Sequence, residues 1–110
     1  MTNTKYAFQV GNQIKFIDQS EIMYCLSDAN YTDIVISCGK KVVTSKSLTN
    51  LEKIFDSDLF IRIHNSMLIN ISFIESFSHR NLNTIIMTDG KILQVSRRKK
   101  KIFLLKFKKL

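Results

Sequence analysis

The β-branched and aromatic residues of this chain fall in runs of four to seven, each closed by a turn-forming pair or triplet, and no proline interrupts them. A run that short makes one strand, and a short polar turn brings the next strand back beside it, so the chain is confined to a β-rich fold of hairpins. Residues 6–10 and 13–17 flank Gly11-Asn12, and residues 22–26 and 31–37 flank a turn at Ala29-Asn30. Residues 41–44 follow a turn at Cys38-Gly39-Lys40, and residues 60–63 and 73–77 form two further strands. The strongest hairpin signal joins residues 84–88 to 91–95 through Asp89-Gly90, a pair that favours the two-residue type I′ turn. Residues 64–70 between them are expected to form an irregular or one-turn helical connection.

Two segments depart from this spacing. Ser47 is placed to cap a helix through Phe55 in which Leu48, Leu51, Ile54 and Phe55 recur at helical intervals. Ser96 is placed to cap a final helix through about residue 107. With 110 residues and 45% hydrophobic content, the whole of 1–110 is expected to fold as a single domain around a compact core. No apolar run reaches membrane-spanning length and no signal-peptide pattern opens the chain, so a soluble, cytoplasmic protein is expected.

Charge separates the last helix from the rest. Residues 1–90 hold eight Lys/Arg against nine Asp/Glu, whereas residues 91–110 hold nine Lys/Arg and no acid. The whole excess of +8 therefore comes from the last twenty residues. Clustered cations gain free energy by releasing counterions from a polyanion, which points to nucleic acid or an anionic membrane surface. A merely solvated tail is the competing reading, but Ile102, Phe103, Leu104, Leu105 and Phe107 are interleaved with the cations.

The cysteines point to neither a disulfide nor a metal. With Ala29-Asn30 as the turn, Cys25 faces Ile34 and not Cys38, and His64 and His79 lie far from both in sequence. Both thiols are expected to be ordinary buried groups, and neither a metal nor a cofactor is expected.

Two segments carry chemistry. Residues 60–70 read Phe-Ile-Arg-Ile-His-Asn-Ser-Met-Leu-Ile-Asn, and residues 89–98 read Asp-Gly-Lys-Ile-Leu-Gln-Val-Ser-Arg-Arg. Together they resemble the paired signature of LytTR-type DNA-binding domains of bacterial transcription and response regulators: F-x-R-x-H-x-S, three hydrophobic residues and N, then a D-G turn, a strand and V-S-R. The resemblance extends over nearly the whole chain. It implies a mostly β fold, with short antiparallel sheets in an elongated sandwich-like stack, one short internal helix and a C-terminal basic helix. It also implies transcription regulation through sequence-specific binding of duplex DNA, with loop side chains entering the major groove. Such domains sit behind a receiver domain in two-component response regulators; none is encoded here, and a receiver or a dimer partner is expected only in a full-length protein.

On this resemblance, Asn65 and Arg97 are expected to contact bases. An Asn amide pairs with adenine N6 and N7, and an Arg fork with guanine O6 and N7. The competing roles are a turn-stabilising Asn and a surface arginine. Tyr31, beside Asn30, is the third base-contacting candidate, with cross-strand packing as its rival role. Ser66, Ser96, Lys100 and Lys101 are expected at phosphates, where they set position without reading sequence. Ser96 also has a helix-capping role. Arg62 and His64 are expected to be structural, holding the loop. The chain departs from the commoner pattern in carrying Asn65 where arginine is frequent, and Lys99 and its neighbours in place of the frequent aromatic after Arg97.

An enzyme is not expected, because the nine acids form no carboxylate pair and Ser66 beside His64 belongs to the signature. An RNA-binding or anionic-membrane-binding basic module is the alternative. RNA readers display aromatics for stacking, whereas these aromatics alternate with apolar residues as a core does.

Overall fold

The computed structural model describes residues 4–80 and 83–110. Among them, three antiparallel sheets stack through two cores. Strands β1 (Lys5–Val10) and β2 (Gln13–Asp18) form a two-stranded ribbon. The central sheet runs β5 (Lys41–Thr44), β4 (Tyr31–Ile36), β3 (Ile22–Asp28), β7 (Met67–Asn70), β6 (Phe60–His64). The third sheet runs β10 (Ile92–Gln94), β9 (Thr84–Met87), β8 (Ile74–Ser78). Helix α1 (Leu48–Ile54) covers one side of the central sheet, and α2 (Lys100–Leu105) packs with the third sheet on the other.

Burial on both faces of the central sheet explains the departure at residues 64–70. Leu68 enters the core shared with β1, β2 and α1, while the adjacent Ile69 enters the core shared with the third sheet and α2. Fully burying such a side chain contributes about 1.5–3 kcal/mol. A run buried on alternate sides has no polar alternation to mark it as a strand. Met67–Asn70 is therefore a strand where a connection was expected, and only Asn65 and Ser66 remain as a tight turn.

Three further expectations are corrected. The hairpin of β9 and β10 closes through a three-residue loop, Thr88-Asp89-Gly90, with Met87 N–H donating to Lys91 O at 2.9 Å and Gly90 N–H to Met87 O at 2.9 Å. Gly90 takes φ +89°, the left-handed position that follows a type I turn in such loops, so Asp-Gly serves a longer loop than the two-residue one. The final helix starts at Lys100 and not at Ser96, because residues 97–99 form a turn. Ser96 N–H is held by Ile63 O, and Lys99 N–H closes a single turn back onto Ser96 O and Oγ before the helix begins. Arg97 thus precedes α2 and shares no helical face with Lys100. By contrast, Ser47 caps α1 as expected, its Oγ accepting from Asn50 N–H at 3.1 Å, and Leu48, Leu51 and Phe55 are buried while Ile54 is exposed.

The third correction concerns the thiols. Cys25 faces Ile34 and is buried, with its pKa pushed up to about 12 by burial, whereas Cys38 is exposed in its turn. Since the thiolate is the reactive species, one of the two thiols is expected to react rapidly with a disulfide reagent in native protein and the second only after denaturation. Two fast equivalents in native protein would contradict the core placement of Cys25.

Candidate nucleic-acid interface

Three turns meet at one end of the central sheet. Ser27 N–H, beside the β3–β4 turn, donates to Ser66 O in the β6–β7 turn at 2.9 Å. Ser96 N–H, leaving β10, donates to Ile63 O at 2.8 Å, where a bulge between Arg62 and His64 interrupts the ladder. The two sequence motifs are thus joined through one backbone hydrogen bond. Tyr24 fixes the hairpin that carries the second motif. Its hydroxyl donates to Asp89 Oδ2 at 2.8 Å, and burial first, then that bond and the carboxylate charge, push its pKa up to about 12.

Arg62 holds the β6–β7 turn from inside. Its Nε donates to His64 O at 2.9 Å, its Nη2 to Asn65 O, and its Nη1 to Glu52 Oε1 of α1 at 3.1 Å. His64 Nδ1 accepts from Ser66 N–H at 3.2 Å and lies 3.0 Å from Ser66 Oγ. An Nδ1 that accepts an amide N–H carries no proton, so the neutral ring has its proton on Nε2 and Ser66 O–H donates to Nδ1. The pair resembles a serine–histidine dyad only in composition, because the imidazole is committed to the turn that contains the serine.

With its carbonyl held in this way, Asn65 presents its side chain to solvent. Asn65 lines a groove of about 350 Å³ together with Asn30, Tyr31, Ser45, Thr49 and Arg62. Tyr31 is 57% exposed there, at the first position after the β3–β4 turn. Arg98 Nη2 donates to Asn65 Oδ1 at 3.4 Å. Arg97 is exposed, and its side chain makes no hydrogen bond or ion pair among the described residues. Ser96 Oγ accepts from Lys99 N–H at 3.2 Å, so it caps the 97–99 turn in place of a helix. Lys100 is half-buried and Lys101 exposed on α2. No group of three His, Cys, Asp or Glu side chains able to hold a metal occurs among the described residues, and no helix among them is long and apolar enough to cross a membrane.

The sequence model of the LytTr DNA-binding domain matches residues 12–108. The chain belongs to this family. It is 28% identical over 95 residues to the sensory transduction protein LytT of Bacillus subtilis, covering 84% of this chain and 39% of that protein. It is 24% identical over 85 residues to the CO-responsive transcriptional regulator RcoM of Rhodospirillum rubrum, covering 77% of this chain and 36% of that protein. A solved LytTr domain from Bacillus cereus shares the fold, with a TM-score of 0.82 at 19% identity over 96% of this chain and 97% of that one. The chain thus spans well under half the length of these two curated relatives.

As a LytTr domain the chain binds DNA, and its signature residues divide by position. Arg62, His64, Asp89 and Asn70 hold turns and strands together through hydrogen bonds inside the protein. The side chains of Asn65, in the β6–β7 turn, and of Arg97 and Arg98, in the turn after β10, stand outside that network on exposed residues. Arg98 is the residue that sequence reasoning passed over. Val-Ser-Arg-Arg offers two adjacent arginines, and only the three-residue turn after Ser96 decides which of them reaches Asn65.

Proposed function

We propose that this LytTr domain reads duplex DNA sequence-specifically for transcription regulation, with Asn65, Arg97 and Tyr31 at bases and Ser66, Ser96, Lys100 and Lys101 at phosphates. The observation that supports it is the convergence of both motifs and the β3–β4 turn on one end of the sheet, beside the most basic stretch of the chain. Turns that project short polar side chains from a rigid sheet suit major-groove edges, where each base pair presents a distinct donor and acceptor pattern. The two serines are not equivalent. Ser96 Oγ accepts a backbone amide and keeps its proton for a phosphate oxygen, whereas Ser66 must first release His64. In full-length cytoplasmic regulators such a domain would act as the output module, its access to DNA controlled by a receiver or other sensing domain or by a dimer partner.

The test is selection from a random duplex pool, followed by titration of the selected site at rising salt. An enriched motif is expected, with affinity falling steeply as salt rises because phosphate contacts release counterions. Replacing Lys99, Lys100 and Lys101 together by alanine should weaken all sequences alike and flatten the salt dependence. Asn65→Ala should relax one base position, a loss of about 1–3 kcal/mol of discrimination. A pool that stays random, or equal affinity for anionic vesicles and single-stranded RNA, would overturn the proposal.

A further inference from the structure

The hydrogen bond between Arg98 and Asn65 bears on which base the β6–β7 turn selects. An unpartnered Asn amide is suited to adenine, because Nδ2–H donates to N7 while Oδ1 accepts from the N6 amino group. Here Oδ1 already accepts from Arg98 Nη2, at 3.4 Å. A guanidinium has five N–H donors and no acceptor. The outward edge of the pair therefore consists of the Nδ2 hydrogens and the remaining guanidinium hydrogens. The second lone pair of Oδ1 lies beside a full positive charge, where the partly positive amino hydrogens of adenine N6 or cytosine N4 are repelled.

We infer that Arg98 is a specificity-determining residue: by occupying Asn65 Oδ1 it turns the Asn65 amide into a donor-only reader that selects guanine over adenine. Guanine is the base whose major-groove edge offers two acceptors, N7 and O6; thymine offers one, O4, and adenine pairs one acceptor with one donor. The inference rests on Asn65 being a base-reading residue. It is supported by the way each partner is anchored. Asn65 O is held by Arg62, and the approach of the second motif is fixed by the bond from Ser96 N–H to Ile63 O. Rival pairings are also accounted for: the guanidinium of Arg62 is turned to two carbonyls and Glu52, so the carboxylate of Glu52 is engaged away from Arg98.

Site selection separates this inference from the reading beneath it. Wild-type protein, Asn65→Ala, Arg98→Met and Asn65→Asp would each be selected on duplex DNA at low salt, with thermal melts to verify that all four are folded. Asn65→Ala identifies the base position. Wild type is expected to prefer guanine there, and Arg98→Met, which keeps length but removes every donor, is expected to swing the guanine-to-adenine ratio at least tenfold toward adenine. Asn65→Asp presents acceptors only and is expected to lose guanine in favour of cytosine, whose N4 donates. If Asn65→Ala relaxes a position but Arg98→Met leaves guanine preferred there, the donor-only inference falls while the base-reading role stands. If Asn65→Ala relaxes nothing, the base-reading role fails and this inference fails with it.

Discussion

Phe103→Ala is expected to lower the unfolding free energy by about 3–5 kcal/mol, the usual range for deleting a buried aromatic side chain. Phe103 is 1% exposed and is the buried residue of α2, packed on Phe77 at 5.4 Å and Phe107 at 5.2 Å between ring centroids. A helix of six residues has no stability of its own and holds its shape only through tertiary packing. Most of its other apolar side chains face water, since Ile102 is 57% and Leu105 75% exposed. One ring therefore carries most of the docking. When it is lost, the segment that follows Arg98 loses its anchor, and DNA affinity should fall although every cation is still present. Ile102→Ala is the control, expected to shift stability by no more than about 0.5 kcal/mol, as surface substitutions do. Denaturant melts of both variants, with DNA titrations beside them, check the pair. A Phe103→Ala midpoint equal to that of wild type would mean that α2 is not held by this contact.

Which parts of this molecule could be read from its residues follows from the range of the forces that set them. Local chemistry was legible. The Gly11-Asn12 turn, the Ala29-Asn30 turn and the Ser47 cap each depend on residues within a few positions of one another, and each stands where residue type put it. The strand Met67–Asn70 was not legible, because what makes it a strand is the second core on its far side, supplied by β8, β9 and β10. The final helix was overextended for a related reason. Periodicity counts apolar positions but does not register the bond from Ser96 N–H to Ile63 O that turns the chain first.

The candidate site divides along the same line. That Asn65 and the second motif belong together came from the resemblance to a family, and the spacing between them carries no such information. The role of Arg62 as a clamp on two successive carbonyls needs the bulge between Arg62 and His64, a register detail invisible in a strand pattern. The exposure of Cys38 likewise depends on a turn loop projecting from the sheet, since cysteine as a residue type is most often buried.

Asn70→Leu is expected to destabilise the domain by about 1–3 kcal/mol, from the carbonyl of Ile22 left unpaired in the core. Asn70 closes the first motif, is 1% exposed, and bridges distant parts of the chain. Its Nδ2 donates to Ile22 O at 2.9 Å and its Oδ1 accepts from Ser72 N–H at 2.9 Å. Leucine fills the same space with neither donor nor acceptor, so the buried carbonyl of Ile22 would lose this partner, while the amide of the exposed Ser72 would turn to water. Asn70→Asp divides the two contacts, keeping the acceptor for Ser72 and setting a carboxylate against a carbonyl. Burial and that repulsion raise the carboxyl pKa above its unfolded value, so the native state binds the extra proton. Stability of the Asp variant should then be highest at acid pH and fall as pH rises through about 4 and above, because the unfolded state binds fewer protons there. Asn70 pairs with Phe60 at the end of the β6–β7 hairpin opposite the Asn65 turn. Folded Asn70→Leu protein should therefore select the same DNA site as wild type, while its denaturant midpoint drops. A changed base preference with an unchanged midpoint would reverse the assignment, making Asn70 part of the reading surface and not of the frame that carries it.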